Sequence, residues 1–410
     1  MKLDIKKGLS MGLAATLIMG ASLPGVAGAA VTKNPSSVKK QIEEQLGLNK
    51  EKVSISSVSK EKSQKFSENQ LIIRYKKPLT TSQHKHAGGN LEKRISSLNY
   101  DVISVKNASN LAKVASNYAK LPGVVSVTRS ALVQQMSQSD MKAPSMYHLE
   151  TLAIEKAQKM AGKNKVRVGV IDTGIEVNHP ELKNKVVVNE NAMNPLKKGQ
   201  PDVHATHVAG IIAAEKGNGI GGYGVAPNSD IVSIDVFNRS PFVTDYTIAE
   251  GILEAINQKV KVINMSLGSY YPSPIIKDAV KKATDAGIII VASAGNDGAD
   301  MVNYPAAYED VISVGATNDK NELAEFSTYG KSVDVVAPGE AIYGPVFDVD
   351  KRSSFAKLSG TSMSAPMVTG LVSLLLSKHP NLTPYQVQYI LTKTAKDLGD
   401  KGYDTSFGYG

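Results

Sequence analysis

The 410 residues include no cysteine, which removes disulfides, thiol nucleophiles and cysteine-based zinc sites from consideration. The single Asp-Thr-Gly, at Asp172-Thr173-Gly174, has no second copy, so the paired carboxylates that share one proton in aspartic proteases are not available. The His-Glu-x-x-His spacing of zinc peptidases is missing, as is the Gly-x-Ser-x-Gly turn of lipase-like hydrolases. There is no internal repeat. Beyond the first 30 residues no apolar run is long enough to span a bilayer.

Those first residues, MKLDIKKGLSMGLAATLIMGASLPGVAGAA, place Lys2, Lys6 and Lys7 ahead of an apolar run from Leu9 to Met19. Ala27-Gly28-Ala29 follows as a small-x-small cleavage site, so residues 1–29 read as a signal peptide and the protein as secreted, with no membrane association after cleavage. The net charge of +9 is unevenly spread. Residues 30–140 hold 18 Lys and Arg against eight Asp and Glu, a net +10, whereas residues 141–410 carry a net −3. A basic segment beside an acidic remainder suggests that the two pair with each other, and no nucleic-acid partner is expected.

Residues 31–65 are polar and rich in Ser and Lys, and read as a loose lead-in. From 66 to about 130, NQLIIRYKK is strand-like, GGNLEKRISSLN helical, YDVISVKN strand-like, NLAKVASNYAKLPG helical and VVSVTRS strand-like. This is a small α+β unit. Residues 131–145 lack periodicity and read as an exposed linker. Strands are then expected at 165–171, 231–237, 261–267, 287–294, 311–317 and 333–338, and helices at 205–214, 246–259, 274–286, 362–378 and 383–396. Near-continuous Val/Ile runs mark strands buried on both faces, giving an α/β fold with a mainly parallel sheet and helices on both faces. Active sites in such sheets lie beyond the carboxyl ends of the strands.

The strand ending in Asp172 puts a carboxylate at such an end. A turn aspartate is the bland alternative. In DVHATHVAGIIAA, His204 and His207 open an apolar helix. His204 is the better placed for exposure, and His207, among Val208, Ala209 and Ile211, reads as a core histidine. In KLSGTSMSAPMVTGL, Ser362 lies at a helix start, where N–H groups and the dipole favour negative charge. Pro366 was expected within that first turn. A serine needs a base, histidine is the usual one near neutral pH, and the imidazole needs a buried acceptor. Asn296, at the end of IIIVASAGNDG, is a candidate oxyanion donor, a role in which one lost donor costs about 100- to 1000-fold in rate.

VIDTGIEVNHPEL, HATHVAG, INMSLG, ASAGN and GTSMSAP, in that order, resemble the signature blocks of subtilisin-like serine endopeptidases from about Tyr147 onward. Asp-His-Ser is the chain order of that family. The resemblance implies Asp172 as orienting acid, His204 as general base, Ser362 as nucleophile and Asn296 in the oxyanion hole. It implies Ser266-Leu267-Gly268 as one edge of the substrate cleft, the segment near Phe242-Val243 as the other, and Asp297 and Asn303 as lining of the specificity pocket. An inward-facing Asp297 would favour a basic residue before the cut. It implies structural calcium at Glu181 and Asn218, without any catalytic cofactor, and a propeptide that acts as intramolecular chaperone and inhibitor. Two departures stand out: Ala205 replaces the usual glycine beside the histidine, and Met367 replaces a common histidine after Pro366.

The domain layout expected is signal peptide 1–29, propeptide 30–140 and catalytic domain 141–410, with self-cleavage at 130–146. Expected partners are protein or peptide substrates and the protein's own propeptide, the enzyme being a monomer. A dedicated maturation protease that removes the leader of a secreted peptide competes with a broad degradative enzyme. A non-catalytic binding protein on the same fold is the third reading.

Overall fold

A computed structural model describes residues 66–135, 138–140, 146–194 and 196–410. The expected signal peptide and lead-in fall outside the described residues. The N-terminal unit comprises β1 (Phe66–Tyr75), α1 (Thr81–Ala87), β2 (Asn90–Ile95), β3 (Tyr100–Ser104), α2 (Leu111–Ala119) and β4 (Val124–Gln135). Its strands pair antiparallel, β4 and β3 flanking β1, with β2 outside β3.

Two local expectations are corrected here. GGNLEKRISSLN is not helical: residues 90–95 form β2, hairpinned to β3 through Asn99 at φ 61°. The helix lies earlier, where Thr80 and Gln83 make a reciprocal capping box and Gly88 closes the C-terminus at φ 90°. The segment after 130 is not wholly a linker either. β4 continues to Gln135, and β5 (Gln138–Asp140) follows; residues 141–145 lie outside the described residues.

The larger unit starts with α3 (Tyr147–Thr151) and α4 (Ile154–Met160), then β6 (Arg167–Asp172), β7 (Val186–Asn191), α5 (Val203–Ala213) and β8 (Asp230–Asp235). Next come β9 (Phe242–Thr244), α6 (Asp245–Asn257), β10 (Val262–Met265), β11 (Leu267–Gly268), α7 (Pro274–Asp285), β12 (Ile289–Ser293) and β13 (Val311–Thr317). The chain closes with β14 (Val335–Pro338), the hairpin β15 (Ile342–Asp348) and β16 (Arg352–Ser359), α8 (Thr361–Lys378) and α9 (Pro384–Thr394). Seven strands form a parallel sheet in the order β14-β13-β12-β10-β6-β8-β7. The chain leaves β6 toward β7 and β8 on one side and returns to β10 on the other, so the carboxyl end of β6 is the topological switch point.

Two apolar layers cover the sheet. One core joins α5, α8 and α9 to it through Val208, Ile212, Met363, Val372 and Leu391. The other joins α6 and α7 through Ile248, Ile252, Ile276 and Val280, and takes in Ile72, Ile95, Tyr100 and Val102 of the N-terminal unit. That unit thus lays one sheet face on α6 and α7, while its own helices cover the opposite face with Leu111, Val114 and Tyr118. Charge follows the same seam. Arg74 pairs with Asp278 at 3.3 Å and Lys93 with Glu250 at 3.1 Å, and the Tyr100 hydroxyl donates to Asp278 at 2.8 Å. The basic piece therefore does meet the acidic remainder.

Candidate active site

β6 delivers Asp172 to the switch point, fully buried. Its Oδ1 accepts the Thr173 backbone N–H at 2.7 Å and lies 2.6 Å from His204 Nδ1. An ionised carboxylate only accepts, so the imidazole carries its proton on Nδ1 and leaves Nε2 as the basic nitrogen. His204 stands at the second position of α5, whose cap is Asp202: Asp202 Oδ1 accepts the His204 N–H at 2.9 Å and the Thr173 hydroxyl at 3.2 Å. The same hydroxyl oxygen accepts the Ala205 N–H at 3.1 Å. Strand end and helix start are thereby tied together, and Ala205 fits there fully buried.

Ser362 is the second residue of α8, which packs against α5. Because α8 starts at Thr361, Pro366 lies past the first turn rather than within it. Its missing N–H frees the Ser362 carbonyl, the normal acceptor four residues back. The Ser266 hydroxyl takes that carbonyl instead, donating at 3.0 Å. Behind Ser266, Asn264 Nδ2 donates to its Oγ at 3.0 Å and is itself held by the Thr369 hydroxyl on Oδ1 at 2.9 Å. The Ser362 backbone is therefore fixed by a buried polar chain.

The Ser362 hydroxyl donates to the Ser266 carbonyl at 3.3 Å, while His204 Nε2 is buried without a hydrogen-bond partner among the described residues. The serine–histidine bond is not formed in this conformation, in which the Ser362 hydroxyl is engaged by the Ser266 carbonyl. Asn296 presents the complementary feature. Its Oδ1 accepts the Thr361 N–H at 2.9 Å and hydroxyl at 3.0 Å, which turns Nδ2 away as a buried donor with no partner among the described residues. The site thus holds two unsatisfied buried groups, an imidazole nitrogen on α5 and an amide donor whose oxygen is bonded to Thr361 at the start of α8, an arrangement that a polar reactant would complete. His207 is a different case: its ring Nε2–H donates to the Ile342 carbonyl at 2.9 Å, and burial pushes its pKa down to about 3, keeping it neutral.

The two expected cleft edges lie on either side of one strand. β4 pairs antiparallel with β9, Val133 opposite Val243 and Gln134 opposite Phe242, and with β11, Gln134 opposite Gly268 and Gln135 opposite Leu267. Further along, β5 pairs with β16, Gln138 opposite Ser359. Asp297 faces inward. Its carboxylate accepts the Tyr270 hydroxyl at 2.7 Å, with Asn303 Nδ2 and the Thr328 hydroxyl each at 3.3 Å.

Glu181 is fully buried, with Oε2 accepting Asn218 Nδ2 at 3.1 Å and Oε1 lacking a partner among the described residues. Burial raises its pKa to about 7. The loop through Gly221 closes so tightly that a Cβ there would lie 2.4 Å from Oε1. An orphaned, enclosed carboxylate oxygen fits a calcium ion, which also takes amide and backbone oxygens; Glu181 offers such an oxygen, and Asn218 would join it by turning its amide oxygen, here accepting the Ile220 N–H at 3.1 Å, toward the ion. Among the described residues no group of three or more His, Asp or Glu is gathered for a metal.

Asp202, Thr173, Asn264 and Thr361 have no motif of their own in the sequence, because each acts by a side-chain hydrogen bond that supports a neighbouring site residue. Gly174 is required sterically: a Cβ there would meet the Gln200 carbonyl oxygen at 2.1 Å, on the backbone leading to His204. Gly174→Ala is expected to cost about 2 kcal/mol or more, as overpacking against rigid backbone does, measured by denaturant unfolding in a Ser362→Ala background. A loss below about 0.5 kcal/mol would contradict that packing.

The family model "Subtilase family" matches residues 163–410, and "Fervidolysin N-terminal prodomain" matches residues 53–128. Subtilisin DY of Bacillus licheniformis is 41% identical over 255 residues, covering 60% of this chain and 89% of that protein. Subtilisin E of Bacillus subtilis (strain 168) is 35% identical over 328 residues, 77% of this chain and 80% of that one. Among solved structures, fervidolysin from Fervidobacterium pennivorans, titled a keratinolytic enzyme related to subtilisin, superposes with a TM-score of 0.72 at 27% identity. That match covers 84% of this chain and 60% of fervidolysin. With the parallel sheet and the prodomain, these matches identify the chain as a member of the subtilase family, a serine endopeptidase carrying a fervidolysin-type prodomain.

Proposed function

We propose that this chain is a secreted, self-processing precursor in which Asp172, His204 and Ser362 form the catalytic triad. The observation that carries the reading is β4, which leaves the prodomain and lies between both cleft edges like a bound substrate. His204 Nε2 takes the Ser362 proton as Oγ bonds to the scissile carbonyl carbon. The carbonyl oxygen becomes an oxyanion facing Asn296 Nδ2–H and the Ser362 N–H. The imidazolium, stabilised by Asp172, returns its proton to the leaving amine as the C–N bond breaks, and water hydrolyses the acyl-enzyme.

Register supports a narrow self-cleavage window. β4 ends with Gln135 opposite Leu267, one residue from Ser266, whose carbonyl accepts the Ser362 hydroxyl at 3.3 Å, and β5 begins with Gln138 opposite Ser359. The bond cut then lies between Gln135 and Gln138, within the 130–146 window. A Ser362→Ala precursor should remain one chain, whereas the wild type should yield a mature N-terminus at residue 136, 137 or 138 by N-terminal sequencing. Processing of the Ser362→Ala chain rules out the nucleophile, and a start elsewhere rules out the register.

Of the two protease readings, the broad degradative one has support in the cleft edges, which grip backbone rather than particular side chains. Asp297, already holding three donors, is less available to a basic residue than a bare carboxylate would be. The enzyme acts as a monomer on protein or peptide substrates.

Calcium, when bound at Glu181 and Asn218, neutralises a buried carboxylate. Without the ion, the raised Glu181 pKa stabilises the fold at acidic pH, and this contribution is lost as pH rises from the unfolded value of 4.5 through about 7. Calcium should therefore raise the melting temperature more at pH 8 than at pH 6, the gain reaching about 2.7 kcal/mol at a hundred times Kd. Glu181→Gln should remove the calcium response. An equal response in the variant would place the ion elsewhere.

A further inference from the structure

Asp245 opens α6 directly after the cleft edge β9 and is 1% exposed. Its carboxylate collects four donors from two sources. The catalytic unit supplies the Tyr246 N–H, 2.9 Å to Oδ1, and the Ser273 hydroxyl, 2.9 Å to Oδ2. The prodomain strand supplies the Ser130 hydroxyl, 2.7 Å to Oδ1, and the Ala131 backbone N–H. Ser130 is fully buried, at the point where β4 passes from the prodomain sheet into the cleft: Ala131 still pairs with Phe66 of β1, and Leu132 already pairs with Thr244 of β9. Asp245 thus reads the strand two residues upstream of its first cleft-paired residue.

When the prodomain strand leaves, Tyr246 and Ser273 keep the carboxylate oriented, but two of its four donors are gone. A carboxylate so placed gains from any incoming strand that restores them, because hydrogen bonds to a charged acceptor outweigh neutral ones. Building on the peptidase reading above, we propose that Asp245 is the anchor of a distal subsite that takes a hydroxyl-bearing residue of an extended polypeptide, two residues before the first residue that pairs with the cleft edge β9. In the precursor this subsite holds Ser130; in the processed enzyme it selects long polypeptides carrying Ser or Thr at that place.

The test uses enzyme that has processed itself from the full chain and four synthetic peptides. They are residues 128–139 of this sequence, the same peptide with Ser130→Ala, the same peptide N-methylated at the Ala131 nitrogen, and a short form starting at Leu132. The Ser130→Ala and N-methyl peptides should each show a KM about tenfold higher than the parent with little change in kcat, in line with loss of a hydrogen bond to a charged group. In an Asp245→Asn enzyme, normalised to its own rate on the short peptide, the parent-to-Ala ratio should fall below about twofold. Equal KM for parent and altered peptides on the wild-type enzyme overturns the inference without needing any protein variant, as does an undiminished ratio in Asp245→Asn. Failure to cleave even the short peptide overturns the peptidase reading and this inference with it.

Discussion

The bond from His204 Nδ1–H to Asp172 Oδ1, 2.6 Å long and buried at both ends, is the constraint on which the rest of the site depends. It fixes which imidazole nitrogen is basic and where that nitrogen points. The bond exists because two elements distant in sequence end at one place: β6 at the sheet's switch point and α5 at its capped start. Thr173 and Asp202 fasten these ends by backbone groups, so the carboxylate and the ring are positioned by the fold rather than by their own rotamers alone.

Ser362 is held by a different device. A proline one turn into α8 removes a backbone donor, and a serine from the β10–β11 corner replaces it. Ser266 therefore links the two parts of the site: its hydroxyl and carbonyl both bond Ser362, and it immediately precedes β11, which pairs with β4. The prodomain meets the same edges. Its sheet rests on α6 and α7 with apolar and ionic contacts, and β4 lies between Phe242–Thr244 and Leu267–Gly268 as an added strand.

The parallel sheet was legible because strands buried on both faces leave continuous Val/Ile runs; β6, β8, β12 and β13 fall within two or three residues of their expected bounds. β7 was passed over because its burial is only partial and Asn and Glu interrupt it. The β15–β16 hairpin covers α5 outside the main sheet and has no strict alternation. The reach of β4 past residue 130 was hidden for a physical reason: its partners there are backbone groups of the cleft, which impose no hydrophobic pattern. Asp172, His204, Ser362 and Asn296 stood out through their blocks. Thr173 and Asn264 had fainter signals, a polar residue at a strand end and another within an apolar run. Asp245 had none, since its partner Ser130 is 115 residues away.

The central claim is that His204 activates Ser362 in the processed enzyme, and the direct measurement is the second-order rate at which a serine-directed phosphonate labels Ser362. The account predicts a wild-type rate that rises with pH along a single ionisation, and a His204→Ala rate lower by roughly a thousandfold, the scale of general-base catalysis. Labelling of His204→Ala within about tenfold of wild type would contradict it, because a hydroxyl so reactive without the imidazole would need another base.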